Sequence, residues 1–223
     1  MYLTHLKQII GISLAVFVFS LFTACSESNN PLFASSANEN LLIDDETIAA
    51  LPTEELSDSE NVGLIFMREE EKLARDVYIT LYNKWGQRVF GNISNSEQRH
   101  TDAIKLLIDK YQLSDPVISD SVSSFTNGTL ANLYTTLTVQ GDSSLVHALK
   151  VGALIEEIDI LDLQRELELD ENVDNKDIKY VYERLLNGSY NHLRAFVRNL
   201  DRNGINYSPV KMSEEQYRAI IYN

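Results

Sequence analysis

The chain has 223 residues, with 19 Lys or Arg against 33 Asp or Glu and a formal net charge of −14. That length allows one domain with additions. An acid excess this large argues against nucleic acid or an anionic lipid surface as partner, since both would repel it. The single cysteine, Cys25, excludes an intrachain disulfide.

Residues 1–24 read as an export signal. His5 and Lys7 give a weakly basic start, and an apolar run, "IIGISLAVFVFSLF", leads towards Cys25. An apolar core before small residues is the signal-peptide pattern. The run is too short and too poorly flanked for a membrane span. Thr23-Ala24-Cys25 resembles the lipobox of bacterial lipoproteins, with Phe22 where Leu is usual. That resemblance implies cleavage before Cys25 and lipid on it, hence a protein anchored to a membrane and not spanning it. Ser26 follows the cysteine where Asp would signal retention, which resembles the sorting pattern for the outer membrane, facing the periplasm. The alternative is a plain secreted protein with an incidental cysteine. Cleavage removes Lys7 and no acid, leaving 18 basic against 33 acidic residues, a balance of −15.

Residues 25–59 are polar and acidic, with apolar residues in bursts without a sustained period. They read as a tether, with one short helix near 45–51 before Pro52. From residue 60 onward the spacing is helical: few Gly and Pro, and apolar residues at three- and four-residue intervals. It predicts four long helices, at about 60–85 (ended by Gly86), 96–111, 143–167 and 175–203 (ended by Gly204). A long connection between the second and third carries a short helix near 130–138, and 204–223 form a C-terminal extension. The expected fold is all-α: four amphipathic helices with a crossover between helices 2 and 3, which fits a ferritin-like four-helix bundle.

The faces of these helices sort the polar residues, since successive positions turn by about 100°. On the first helix Arg68, Glu69, Lys72, Asp76 and Asn83 form the charged, presumed wet face. Met67, Ala74, Tyr78, Leu81 and Trp85 form the dry one, with Glu70 and Glu71 on its two edges. On the second, Glu97 and His100 share the face of Ile104, Leu107 and Tyr111, although Ser94-x-x-Glu97 also reads as a capping box. On the third, Glu156 and Asp159 sit among Leu145, Leu149, Gly152 and Leu163, while Lys150, Glu157 and Gln164 face water. On the fourth, His192 and Ser189 lie inward with Leu185, Phe196 and Leu200. Glu69 and Glu157 are therefore expected not to be ligands.

Every helix thus sends a titratable group inward: Glu71 or Glu70, Glu97, His100, Glu156, Asp159 and His192. Unpaired buried carboxylates are costly, and a cation or an Arg partner is the usual reason for them. Carboxylates with imidazoles suit iron or manganese better than structural zinc, which favours Cys and His.

The blocks "REEEKLARDVY", "SEQRHTDAI", "GALIEEIDILDL" and "GSYNHLRAF" resemble the DUF2202 family, a branch of the ferritin-like superfamily, over about 60–203. The spacing is also similar to rubrerythrin, where a ligand Glu is followed by Ala three residues on and Tyr seven on. Glu71, Ala74 and Tyr78 reproduce this, so the resemblance selects Glu71 over Glu70. It further implies Glu97, His100, Glu156 and His192 as ligands of a di-iron or di-manganese centre, with one imidazole for each ion. The fourth helix departs from the pattern: Ser189 stands where a Glu is expected three residues before His192; either Asp159 on the third helix replaces that carboxylate, or the site holds one metal only. Ser189 and Tyr78 are then neighbours of the ligands. Tyr78, Tyr111 and Tyr182 also suit radical quenching, beside ordinary aromatic packing. Rubredoxin-like Cys pairs are absent from the sequence. Two functions follow as expectations: a di-iron oxidoreductase, peroxidase or ferroxidase-like protein, or a non-catalytic envelope module whose metal is structural.

Overall fold

The structure, a computed structural model, describes residues 43–168 and 173–222. The expected signal peptide, Cys25 and most of the expected tether lie outside them. All described secondary structure is helical, with no strand among the described residues. The seven helices are α1 (Asp45–Ala50), α2 (Asp58–Trp85), α3 (Arg88–Lys110), α4 (Gly128–Asp142), α5 (Leu145–Glu168), α6 (Lys176–Arg202) and α7 (Glu214–Ile221). None is long and apolar enough to cross a membrane.

α2 starts at a capping box. Ser57 Oγ accepts from Glu60 N, and the Glu60 carboxylate accepts in return from Ser57 N at 2.8 Å. The same carboxylate accepts from Asn175 N at 3.0 Å, tying the start of α2 to the start of α6. α2 ends at Gly86, whose φ of 62° favours glycine, and whose N–H donates to Tyr82 O. α3 follows at once and turns back along α2, with Arg68 bonded to Thr101 and Glu71 to His100. α3 begins at Arg88, well before the expected start at 96. Ser94 is therefore inside the helix and donates to Gly91 O at 3.0 Å, so the capping-box reading of Ser94 and Glu97 is overturned.

The four long helices touch in a closed ring: α2 on α3, α3 on α6, α6 on α5, and α5 on α2. The connection from α3 to α5 carries α4, longer than the expected 130–138 segment, laid across α2 and α5. Two apolar cores fill the ring at different heights. One gathers Val77, Leu81, Phe90, Ile93, Val151 and Phe196. The other gathers Leu64, Met67, Ile104, Leu107, Leu163 and Tyr182. Between them, in chain position on all four helices, lie Glu70 and Glu71, Glu97 and His100, Glu156 and Asp159, and Ser189 and His192, all buried.

Arg68, Glu69, Lys72 and Asp76 of the charged face of α2 are buried, contrary to expectation, whereas Asn83 is exposed as read. Residues 115–127 cover the buried four. Arg68 is held by Asp115 at 3.1 Å, and Glu69 accepts from Asn127 N at 2.9 Å. Lys72 is paired with Asp76 at 2.6 Å and donates to Ser121 O. Glu157, read as facing water, is 0 % exposed. Its carboxylate accepts from Tyr207 Oη at 2.6 Å and from the backbone N–H groups of Val210 and Met212 at 2.9 and 3.1 Å. Lys211 N is a further donor to it. The period located these faces correctly but could not show what lies over them.

Residues on both sides of the 60–203 segment pack against it. Ile48 of α1 joins the second core, and Lys110 Nζ donates to Ile48 O and Leu51 O at 2.9 Å. Tyr207, Met212, Tyr217 and Ile220, beyond the expected end at 203, join the first. Glu157 is the polar anchor of that C-terminal segment. We expect Glu157→Ala to destabilise the protein by about 3 kcal/mol, because several buried donors lose their acceptor together. Denaturant unfolding measures this; a loss below about 0.5 kcal/mol, usual for an exposed site, would contradict the anchoring role.

Candidate metal centre

Glu97 lies at the middle of the polar layer. One carboxylate oxygen, Oε2, is 2.8 Å from His100 Nδ1, and the other, Oε1, is 2.8 Å from His192 Nδ1. Glu71 Oε2 is 3.2 Å from the same nitrogen of His100, and Glu156 Oε2 is 3.4 Å from that of His192. The two imidazole rings stack with centroids 5.5 Å apart. Two groups result, Glu71–Glu97–His100 and Glu97–Glu156–His192, each with donor atoms within 4.8 Å of one another. Glu97 belongs to both.

These approaches are short, yet most are poorly aimed for hydrogen bonding. Glu71 Oε1, both oxygens of Glu97, Glu156 Oε2 and His192 Nδ1 have no hydrogen-bond partner among the described residues. Buried polar atoms are almost always bonded, so five orphans pointing into one place require a reason. A cation between lone pairs supplies one, because acceptor atoms converge on it without needing a proton. Both groups are carboxylate and imidazole only, a donor set that fits iron or manganese.

The electrostatics agree. Burial lowers the proton affinity of His100, but the Glu97 and Glu71 carboxylates outweigh it and raise its pKa to about 9. His192 is raised well above its usual value by Glu97 and Glu156, again against burial. Glu97 is held low by His192 and His100 despite burial. Glu71 is raised to about 7, chiefly by burial, with His100 pulling the other way. Burial also raises Glu156, and raises Glu70 and Asp159 strongly. Without cations, the imidazoles provide the positive charge in this layer.

The helices deliver these groups by simple spacing. Glu97 and His100 are three residues apart on α3, and so share a face. Tyr78, two turns after Glu71 on α2, donates to Glu156 Oε1 at 2.6 Å, leaving Oε2 for the centre. Tyr78 is thus where the sequence placed it, beside a ligand candidate. Ser189 is buried, but its hydroxyl donates to Leu185 O at 3.1 Å, satisfying its own helix. Asp159 belongs to neither donor group; it lines a small pocket with Glu70, and burial, followed by the charges of Glu70, Glu71, Glu156 and Glu97, raises its pKa. The two donor groups converge without it. Tyr111 bonds to Asp177 and Tyr182 packs in the second core, so neither lines the centre. Glu69 and Glu157 point away from it, into the covering segments.

The family match follows this geometry. Residues 60–223 match the model of an uncharacterized protein domain, DUF2202. The chain belongs to the DUF2202 family. Over 176 residues it is 53% identical to the uncharacterized protein MJ0754 of Methanocaldococcus jannaschii, covering 79% of this chain and 94% of that one. The crystal structure of hypothetical protein MJ0754 from Methanococcus jannaschii DSM 2661 superposes with a TM-score of 0.75, covering 78% of this chain and 98% of that one. The DUF2202 region runs to residue 223 and so includes the C-terminal segment held by Glu157.

Sequence reasoning passed over Gly188. A Cβ placed there would lie 2.6 Å from His100 Nε2, so glycine lets α6 come against the imidazole. The available signal was a glycine inside a long helix, which costs up to about 1 kcal/mol relative to Ala and so asks for a reason. We expect Gly188→Ala to displace the His100 ring and weaken metal binding by about tenfold or more, as changes beside ligands commonly do. Titration of the variant with Mn(II), against wild type, measures it; unchanged affinity would show that the ring position does not matter.

Proposed function

We propose that this domain is a ferritin-like four-helix bundle carrying a dinuclear iron or manganese site, and that it works as a metal-dependent oxidoreductase or metal-handling protein. The observation that carries the reading is Glu97, with one oxygen on each of two imidazoles and no hydrogen bond to either oxygen. Glu71 and His100 would complete one position, and Glu156 and His192 the other. When bound, a pair of redox-active cations supplies electron exchange with a small oxidant such as oxygen or peroxide, or with Fe(II) as substrate. The chain's own part is to orient the donors and exclude water. Tyr78 fixes Glu156, Gly188 makes room for His100, and apolar cores close the layer above and below.

A second reading is a non-catalytic module with a structural metal. Ser189 favours it, because α6 then brings an imidazole to the centre without the carboxylate that the family resemblance leads one to expect, and its hydroxyl is spent on Leu185 O. Anaerobic loading with Fe(II) followed by exposure to peroxide separates the two. We expect two equivalents per chain, lost in Glu97→Ala, and peroxide consumed by the loaded wild type. Full loading without any peroxide or oxygen turnover supports the structural reading. No binding at all contradicts both.

For the cellular setting, we propose that lipid on Cys25 anchors the domain to the outer membrane, facing the periplasm. The support is the apolar run ending in Thr23-Ala24-Cys25, followed by Ser26. Fractionation of a Cys25→Ala variant is the check. Its release from membranes, or its retention as uncleaved precursor, is expected, whereas mature protein still bound to the outer membrane after a salt wash would sink the anchor.

A further inference from the structure

The centre is sealed on three sides and thinly covered on the fourth. At the α2–α3 seam, Thr101 is fully buried against Arg68, and Arg75 is held by Gln98 and Asp120 at 2.6 and 2.8 Å. α4 lies across α2 and α5. α5 and α6 meet closely at Gly152 and Phe196, and the C-terminal segment covers α5 through Glu157. The α3–α6 seam is crossed by α1, but at the level of the second core, where Ile48 packs and Lys110 Nζ donates to Ile48 O. Level with the imidazoles, Gly188 and Ser96 are partly exposed, and Asn187 and Asn191 are exposed. The donors follow the same gradient: His192 is 8 % exposed and His100 4 %, whereas Glu71 and Glu97 are 1 % and Glu156 is 0 %.

We propose that the α3–α6 seam at Gly188 is the entry to the centre, and that it admits divalent cations and inorganic oxidants of the size of oxygen or hydrogen peroxide while excluding organic hydroperoxides. What enters rests on the dinuclear reading; the route rests on how the bundle is covered. Gly188 keeps the seam thin. A Cβ there would lie 2.6 Å from His100 Nε2, so the imidazole itself is the floor of the opening. The rim does not bar it. Ser96 accepts from Arg99, Asn187 donates to Glu183 O and Asn191 donates to Asn187 O, each within its own helix, so these bonds do not tie α3 to α6. A species of one or two heavy atoms passes by displacing a ring edge. An organic hydroperoxide needs the helices to part, which close packing resists. Hydrogen peroxide that enters takes one electron from each of two Fe(II) ions, leaving both as Fe(III), takes two protons from solvent, and departs as two waters small enough for the same route.

The test covers the seam from outside, in the full chain in detergent. Asn191→Trp sets a large ring on the rim, one turn from Gly188, and Glu183→Trp sets the same ring on an exposed position of α6 away from it. Circular dichroism checks that both fold, and Asn187→Trp replaces Asn191→Trp if that variant does not. Mn(II) uptake is followed by loss of the free ion's paramagnetic signal. Both variants should bind as many ions as wild type, Asn191→Trp about tenfold more slowly and Glu183→Trp at the wild-type rate, as narrowing of a gate predicts. Equal loading rates in all three overturn the route. Fe(II)-loaded wild type should consume hydrogen peroxide at least about tenfold faster than cumene hydroperoxide, because only the larger oxidant clashes with the rim. Equal consumption of both overturns the size limit, and consumption of neither removes oxidants from the proposal. If no form binds metal, the dinuclear reading fails, and hydroxyl-radical footprinting of the metal-free protein decides the route. Oxidation of His192 slowed by Asn191→Trp but not by Glu183→Trp supports it, and equal oxidation in all three overturns it.

Discussion

The fold is arranged around one buried carboxylate. Glu97 lies between two imidazoles, one on its own helix and one on α6, with each oxygen 2.8 Å from a ring nitrogen. A charge in that place is tolerable only with opposite charge beside it, since taking a carboxylate out of water costs several kcal/mol even after relaxation. Its position sets that of its neighbours. Glu71 and Glu156 approach the same two ring nitrogens, Tyr78 holds Glu156, and Gly188 lets α6 approach. Apolar cores above and below seal the layer, lower its effective dielectric and strengthen every interaction inside it.

The covering segments protect this layer from outside. Residues 115–127 lie over the charged face of α2 through Arg68, Glu69, Lys72 and Asp76. The C-terminal segment lies over α5 through Glu157. In both cases, ionised side chains inside the protein take backbone N–H groups or opposite charges as partners. These satisfied networks contrast with the orphaned atoms at the centre, where acceptors face one another. The contrast separates charge that is satisfied within the fold from the acid and imidazole groups that could hold a cation.

Much of this was legible in the sequence, because helical period says which residues share a face. It placed Glu97 and His100 together, set Glu156 and His192 inward, and found the four long helices and the long connection after the second. Of the two edge glutamates, Glu71, which the spacing singled out, is the one bonded to His100. Three matters were beyond it. Period cannot show that a polar face is later covered, which is why Glu157 and Asp76 were read as wet. Residues three apart share a helix face, so period does not separate Asp159, which lines a pocket with Glu70, from Glu156, which approaches His192. And the start of α3 was misread because Gln87 caps it without a side-chain bond, whereas Ser94 offered a capping pattern further along.

The central claim, that Glu97 would serve two cations at once, is tested most directly by crystals grown with Mn(II) and measured for anomalous scattering at the manganese edge. The account predicts two peaks, one on each side of the Glu97 carboxylate, the first bounded by Glu71 and His100 and the second by Glu156 and His192. A single peak at Glu97, or none in crystals of Mn(II)-saturated protein, would contradict it.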